Sequence, residues 1–200
     1  MNHSEVSTDL PATLPRYALV QRMLHWLIAV LVILALIAGG TIGFLGFEGM
    51  RATFGAQGTD FFYTAHKTLG LSILGLMVLR LIARLWFDKP PYAVPLSLFQ
   101  RLASRTVHTL FYVLLLLVMP VLGVLATASG GFPVHFFHIE LLPGFISENE
   151  ALSERLFGWH RIVGITLAGL IVLHVAGAIY HWKIRRDGVM ERMSLLRQRQ

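Results

Sequence analysis

The stretch ALVQRMLHWLIAVLVILALIAGGTIG, residues 18–43, decides the fold, because it is an apolar run long enough to cross a lipid bilayer. A transmembrane helix needs about 20 apolar residues at a rise of about 1.5 Å per residue. The run is too long for the apolar part of a cleaved signal peptide, and no small-residue cleavage site follows it. We therefore expect it to remain in the protein as a transmembrane helix.

The composition of the whole 200-residue chain also indicates a membrane protein. Hydrophobic residues make up 55% of the sequence and charged residues only 14%, and the mean hydropathy is positive. Three more apolar runs follow, at about 61–87, 107–128 and 157–182, and each can cross a bilayer with modest tilt. The fold class that we expect is all-α, a four-helix transmembrane bundle.

The stretches between these runs contain polar residues, prolines and glycines, which favour turns over regular helices. We expect loops at 48–60, 88–105 and 129–154. The predicted domain organisation is a disordered N-terminal tail at 1–15, a transmembrane domain at 16–190 and a basic C-terminal tail at 191–200.

The basic residues indicate how the helices are oriented, since cytoplasmic loops carry an excess of Lys and Arg. Thirteen of the 17 Lys and Arg residues lie on the side of both termini and the second loop, and four lie on the other side. Both termini are therefore expected in the cytoplasm of a bacterial cell, with the chain crossing the inner membrane several times and contacting its lipid. The net charge of +6 reflects this topology, and no nucleic-acid-binding motif is present.

The sequence contains no cysteine, which narrows the chemistry available to it. Disulfides, iron–sulfur clusters, thiolate zinc sites and covalently attached c-type haem all require cysteine. Any metal must be held by histidine or carboxylate, so the nine histidines carry most of the chemical information.

Four of the histidines fall inside the apolar runs, at two depths. His25 and His174 lie toward the cytoplasmic ends of their helices, whereas His66 and His160 begin theirs at the outer edge. His160 and His174 are 174 − 160 = 14 residues apart, which is about 21 Å of helical rise and places them on one helix face. One helix can thus present an upper and a lower histidine to the bundle interior.

A haem iron takes two axial ligands from opposite sides of its flat ring, so two histidines from facing helices are the expected ligands. We therefore predict two haem groups, one between His25 and His174 and one between His66 and His160. A single histidine in a membrane helix could instead serve an interhelical hydrogen bond. Four histidines at paired depths favour the ligand interpretation.

The outer histidines open two similar motifs, HKTLG at 66–70 and HRIVG at 160–164. The glycine of each motif lies at i+4, directly beside the histidine on the helix surface. Gly70 and Gly164 are therefore predicted to clear space for the broad porphyrin ring. Ordinary helix packing through small residues is the competing explanation.

Three basic side chains are candidates for pairing with haem propionates. Lys67 and Arg161 directly follow the outer histidines, and Arg80 lies near the inner level. For Arg80, which shares a helix face with Arg84, anchoring of the membrane topology is an equal alternative.

The remaining histidines have less specific interpretations. His108 begins the third apolar run, where it could contact a propionate, line a quinone site or reach the membrane interface. His135 and His138 fall in the outer loop, where solvation competes with metal capture. His3 belongs to the N-terminal tail and His181 to the end of the last helix.

Together these features resemble the bacterial di-haem cytochrome b561 family over residues 16 to 190. The resemblance rests on five stretches: RYALVQRMLHWL (16–27), HKTLGLSILGLMVLRLIARLWF followed by KPP (66–91), VHTLFYVLLLLVMPVLG (107–123), WHRIVG (159–164) and LHVAGAIYHW (173–182). It implies a four-helix inner-membrane protein with two non-covalent haem b groups. By position it assigns His25 and His174 to the cytoplasmic-side haem, and His66 and His160 to the periplasmic-side haem.

With histidine in both axial positions, neither iron has an open coordination site, which favours one-electron transfer over oxygen binding. The resemblance implies a ubiquinone-type quinone as one partner and superoxide or a periplasmic redox protein as the other. The most concrete expectation is an oxidoreductase, a superoxide:quinone oxidoreductase, although the sequence assigns no catalytic residue.

Two alternatives stay open. One is a membrane-anchor cytochrome b subunit that passes electrons between quinone and a periplasmic redox enzyme docked on the third loop. The other is a small proton or metal transporter, for which the apolar runs offer few carboxylates.

Overall fold

The computed structural model describes residues 16–92, 94–137, 139–142 and 146–196, and most of these residues are helical. The predominantly helical fold expected from the sequence is confirmed. The helices are α1 (Leu19–Trp86), α2 (Leu98–Val113), α3 (Met119–Ser129) and α4 (Glu150–Ile179), with an antiparallel hairpin of β1 (Val134–Phe136) and β2 (Ile139–Leu142) between α3 and α4. The predicted tail at 1–15, with His3, lies outside the described residues, as do His138 and residues 197–200.

Three helices of the described chain are long and apolar enough to cross a membrane: Leu19–Trp86, Leu98–Ser129 and Glu150–Arg185. The second consists of α2 and α3 joined by a π-helical turn at Leu114–Val118. Pro120 explains this turn, because its ring nitrogen cannot donate the backbone hydrogen bond that a regular α-helix requires there.

Helix α1 is not one straight rod, because two glycines interrupt its helical backbone. Gly46 has φ 66° and ψ 178°, and Gly55 has φ 68° and ψ −177°. These values are accessible in practice only to glycine. The interruptions divide α1 into a first arm, residues 19–45, and a second arm, residues 56–86, joined by a short helical segment.

The two arms of α1 lie side by side and antiparallel. Near one end, the Gln21 side-chain amide donates to the carbonyl oxygen of Ala83 at 3.3 Å. Toward the other end, His66 Nδ1 lies 3.0 Å from the carbonyl oxygen of Ala35. The fold-back therefore brings the second arm alongside the first without a separate loop.

The buried core is a band of aliphatic side chains in the middle of the bundle. Ile28 and Val32 from the first arm, Ile73 and Met77 from the second, and Leu167 from α4 are each no more than 5% exposed. Most other apolar side chains of the helices face outward; Val172, for example, is 69% exposed. An apolar exterior over helices of this length suits contact with lipid chains rather than water.

The stretches expected to be loops are more ordered than the sequence suggested. Residues 48–60 are helical around Gly55, residues 98–105 belong to α2, and the third stretch contains the hairpin and the start of α4. The loop interpretation was wrong for these residues. At 98–105 and 150–154 the reason is a side-chain cap that starts the helix early. Ser97 Oγ accepts from the backbone N–H of Gln100 at 3.3 Å, and Asn149 Oδ1 accepts from that of Leu152 at 3.0 Å.

The hinge at Gly46 makes a testable prediction. Replacing Gly46 with alanine forces a Cβ into a glycine-only conformation, which costs about 1–3 kcal/mol. We expect Gly46→Ala to lower the thermal-unfolding midpoint of the purified protein in detergent. Gly43→Ala is the matched control, because Gly43 has helical backbone and an added Cβ there meets nothing within 4 Å. Equal midpoints for the two variants would contradict the strained hinge.

Candidate functional site

The four histidines of the apolar runs meet in two pairs at two levels of the bundle. The lower pair is His25 with His174, whose ring centroids are 6.2 Å apart. The upper pair is His66 with His160, at 6.0 Å. All four side chains are half-buried, and in both pairs the rings meet edge to face. The structure thus brings together the same histidines that the depth argument placed at common levels.

The apolar core separates the two levels. On the first arm, Ile28 and Val32 follow the lower histidine, and on α4, Leu167 lies midway between the upper and the lower histidine. The 14-residue spacing on α4 corresponds to about 21 Å along the helix axis. The two pairs are therefore distinct sites with an apolar layer between them.

In the upper pair, backbone contact orients the His66 ring. His66 Nδ1 lies 3.0 Å from the carbonyl oxygen of Ala35, and a carbonyl can only accept, so Nδ1 carries the proton and donates. The other ring nitrogen, Nε2, is then left with a free lone pair, which is the form that binds a metal.

Two glycines that were not predicted as site residues leave room for the imidazole rings of His66 and His160. A Cβ on Gly39 would lie 2.6 Å from His66 Cε1, and a Cβ on Gly123 would lie 3.2 Å from His160 Cε1. Gly39 could have been found by the spacing argument, because 39 − 25 = 14 places it on the His25 face of the first arm, one level up. Gly123 has no comparable signal, since its partner lies on another helix.

The glycines that the sequence did single out have a different environment. A Cβ on Gly70 would meet nothing within 4 Å, and one on Gly164 would meet only Met119 Cε, at 4.0 Å. They do not accommodate a neighbouring side chain of the polypeptide. Clearance for a porphyrin ring at these positions stays a prediction.

A third histidine stands beside the lower pair. The His108 ring lies 5.3 Å from that of His174, and the Phe111 ring lies 5.4 Å from it. His108 Nδ1 is 2.6 Å from the carbonyl oxygen of Ser104, which holds the imidazole against its own helix. His108 is thus a neighbour of the lower pair, as its position at the start of the third apolar run allowed.

The three predicted propionate partners are placed differently. Arg80 is half-buried at the lower level, where its Nη1 donates to the carbonyl oxygen of Gln21 at 3.2 Å. Lys67 Nζ donates to the carbonyl oxygen of Pro133 at 3.1 Å, so it ties the second arm to the hairpin. Arg161 is exposed. Only Arg80 therefore faces the bundle interior at histidine depth.

The donor sets suit a haem better than a free metal ion. Among the described residues, no three or more His, Cys, Asp or Glu side chains are grouped to hold a metal ion. A haem iron needs only two protein ligands. Each pair offers two imidazoles whose ring centroids are 6.2 Å and 6.0 Å apart, so the donor set of each level fits a haem.

Comparison with known proteins gives a consistent family. The family model described as prokaryotic cytochrome b561 matches residues 16–194. The probable superoxide oxidase CybB of Yersinia pestis is 26% identical over 178 residues, which cover 89% of this chain and 95% of that protein. Cytochrome b561 homolog 1 of Escherichia coli (strain K12) is 26% identical over 128 residues, covering 64% of this chain and 72% of the homolog. Homolog 2 of the same organism is 28% identical over 129 residues, covering 64% and 68%.

The contact between Gly39 and the His66 ring gives a testable prediction for the upper pair. Gly39→Ala places a methyl group 2.6 Å from His66 Cε1, so the His66 ring must shift from its position opposite His160. We expect this variant to lose haem absorbance attributable to the upper pair, as measured by pyridine haemochrome per chain. Gly40→Ala is the control, since an added Cβ there meets nothing within 4 Å. Equal haem content in the two variants would show that Gly39 does not shape the site.

Proposed function

We propose a function from one premise, which is that the chain belongs to the prokaryotic cytochrome b561 family. This family carries out membrane electron transfer and implies a b-type haem. We infer that this chain holds two haem b groups and passes single electrons between a donor on the outer side of a bacterial inner membrane and a membrane quinone. The observation that supports this best is the pairing of four histidines at two levels of an apolar bundle.

The proposed topology has four membrane crossings with both termini in the cytoplasm. The two arms of α1 supply the first and second crossings, the continuous helix Leu98–Ser129 the third, and Glu150–Arg185 the fourth. The fold-back at Gly46 and Gly55 then lies on the outer side. The excess of basic residues on the side of the termini supports this orientation.

Each histidine has a role in this proposal. His25 and His174 would hold the cytoplasmic-side haem, and His66 and His160 would hold the outer-side haem. A haem held by two histidines would favour electron transfer over oxygen binding. When bound, haem b supplies reversible one-electron transfer. The helices hold the two ligand pairs at fixed depths and exclude water from the layer between them.

The most concrete candidate reaction is superoxide:quinone oxidoreduction. Two superoxide anions each give up one electron and become dioxygen, and two electrons with two protons reduce one quinone to quinol. The relative named a probable superoxide oxidase, matched over 95% of its length, supports this candidate. Lys67 and Arg161, beside the upper histidines, offer local positive potential for an anion.

A second candidate partner is a periplasmic redox protein, and the ordered outer hairpin favours it. Phe137, Ile139 and Leu141 of this hairpin are 58%, 64% and 46% exposed. The hairpin rests on the second arm, because the backbone N–H of Phe137 donates to Thr68 Oγ1 at 2.9 Å. An exposed apolar surface fixed two residues from His66 is a suitable docking point for an electron carrier.

The haem content tests the proposed function directly. We expect two b-type haems per purified wild-type chain, one in His66→Ala and one in His174→Ala, because each variant removes one ligand of a different pair. His135→Ala is the matched control, since this hairpin histidine is assigned to no haem. The measurement is a pyridine haemochrome with a reduced-minus-oxidised spectrum. A wild-type chain without haem would contradict the proposal and favour a transporter.

The donor can be tested by stopped flow with the oxidised protein. Superoxide is expected to reduce the haem and then added ubiquinone, with Lys67→Gln lowering the second-order rate constant several-fold because positive potential near the upper site is lost. Arg51→Gln carries the same charge change on an exposed outer residue and serves as control. If superoxide leaves the wild-type haem oxidised, the redox-protein candidate replaces it.

A further inference from the structure

The segment after the last helix is built into the cytoplasmic end of the bundle. Arg186 adopts a left-handed conformation, with φ 50°, and ends the helix that continues α4. Residues 187–196, which we call the C-terminal strap, then turn back toward the start of α1. The strap is therefore an ordered structural element in this fold.

Side chains at the start of α1 hold the strap by its backbone carbonyl groups. Arg16 donates to the carbonyl oxygen of Leu196 at 2.8 Å, and Arg22 donates to that of Ser194 at 2.8 Å. The indole N–H of Trp26 donates to the carbonyl oxygen of Met193 at 2.9 Å. The three donors lie within residues 16–26, and the three acceptors lie within residues 193–196 of the strap.

Arg192 joins the strap to two other parts of the chain. Its side chain is 4% exposed, and Nη2 donates to the carbonyl oxygen of Pro90. The guanidinium carbon lies 4.1 Å from the ring centroid of Tyr92 and 5.1 Å from that of Tyr17. A buried cation between two aromatic rings is a strong and geometrically specific contact. Arg192 thus connects the strap, the start of α1 and the connection between α1 and α2.

A second contact fixes the beginning of the strap. Asp187 is 3% exposed, and His181 Nδ1 lies 2.7 Å from its Oδ2. The backbone N–H of Val189 donates to Asp187 Oδ1 at 3.2 Å, which closes the turn. The strap is therefore held both where it leaves the last helix and further along, at Arg192.

The strap is bonded to two residues that neighbour His25 of the lower pair. Arg22 stands one helical turn before His25, and the Trp26 ring is 5.3 Å from the His25 ring. Both Arg22 and Trp26 are bonded to the strap. The strap is thus fastened to the first arm within one helical turn of His25.

We propose that the C-terminal strap is a lid over the His25–His174 pair, and that Arg192 is the positioning residue that keeps this lid closed and so raises the reduction potential of the haem at that pair. This inference rests on the proposed function. Reduction removes one positive charge from an iron site, and a site shielded from water favours the less charged state. Opening the lid admits water and therefore favours the oxidised haem.

The test compares Arg192→Gln with two further variants and a control. Tyr92→Leu keeps Arg192 but removes one of its stacking rings, and Arg192→Lys keeps the charge but loses the guanidinium fork. Arg101→Gln, an exposed residue on the same side of the bundle, makes the same charge change away from the strap. Each full-length protein is analysed by redox titration of its haems and by the rate of cleavage after Glu191 with a glutamate-specific protease.

In Arg192→Gln we expect cleavage after Glu191 to be at least tenfold faster. We also expect the reduction potential of the haem at the His25–His174 pair to fall by about 59 mV, which corresponds to a tenfold change in the equilibrium constant of a one-electron couple. The upper-haem potential and the haem content are expected to match wild type. Tyr92→Leu shifts both readouts in the same direction, Arg192→Lys lies between wild type and Arg192→Gln, and Arg101→Gln changes neither.

Two results would overturn the inference while leaving the proposed function intact. One is an unchanged cleavage rate in both Arg192→Gln and Tyr92→Leu, which would show that Arg192 does not hold the strap. The other is faster cleavage with both haem potentials unchanged, which would show that the strap does not shield the lower haem. A wild-type protein without haem overturns the proposed function itself and this inference with it.

Discussion

An imidazole inside an apolar helix bundle needs partners for its ring nitrogens, and this requirement organises the structure. The lipid-facing surface offers no such partner, so the four histidines of the bundle turn inward and meet in pairs. The contact between His66 and the carbonyl oxygen of Ala35 ties the two arms of α1 together. Gly39 and Gly123 are small because the rings of the upper pair occupy the space beside them.

The two levels meet this requirement in different ways. At the upper level, the carbonyl oxygen of Ala35 and the glycines Gly39 and Gly123 set the positions of the His66 and His160 rings. The geometry of this pair therefore depends on the close approach of the helix backbones. At the lower level, side chains surround the pair: His108 and Phe111 contact His174, and Arg80 lies nearby. The C-terminal strap is bonded to Arg22 and Trp26 beside His25. Two similar histidine pairs thus have different surroundings, and in the proposed function this difference would give the two haems different properties.

The sequence predicted the helical class and the two levels at which four histidines pair, because both follow from hydropathy and from a fixed rise per residue. The haem-ligand roles stay predictions. We expected an irregular loop at 48–60 between the first two apolar runs, whereas the structure keeps a short helical segment between hinges at Gly46 and Gly55. The backbone angles of a glycine are not encoded in composition.

The early starts of α2 and α4 were missed for a related reason. They depend on single capping residues, Ser97 and Asn149, inside stretches that look polar and irregular. Residues 191–196 of the strap fall in the predicted basic tail. The sequence pattern did not predict their contacts to the first arm, which join residues more than 160 positions apart, as between Trp26 and Met193. Pairings of this kind depend on tertiary packing, which local patterns do not report.

The aliphatic band between the two levels has an energetic consequence. Its members, from Ile28 on the first arm to Leu167 on α4, include no group that can carry a proton. In the proposed function an electron therefore crosses this layer without a compensating proton, and the transfer is electrogenic. Moving one charge across a potential of 100 mV involves about 2.3 kcal/mol, and the levels span about two thirds of a hydrocarbon core about 30 Å thick. Electron transfer toward the cytoplasm thus runs against an interior-negative membrane potential. A larger membrane potential therefore slows transfer in this direction and favours the reverse.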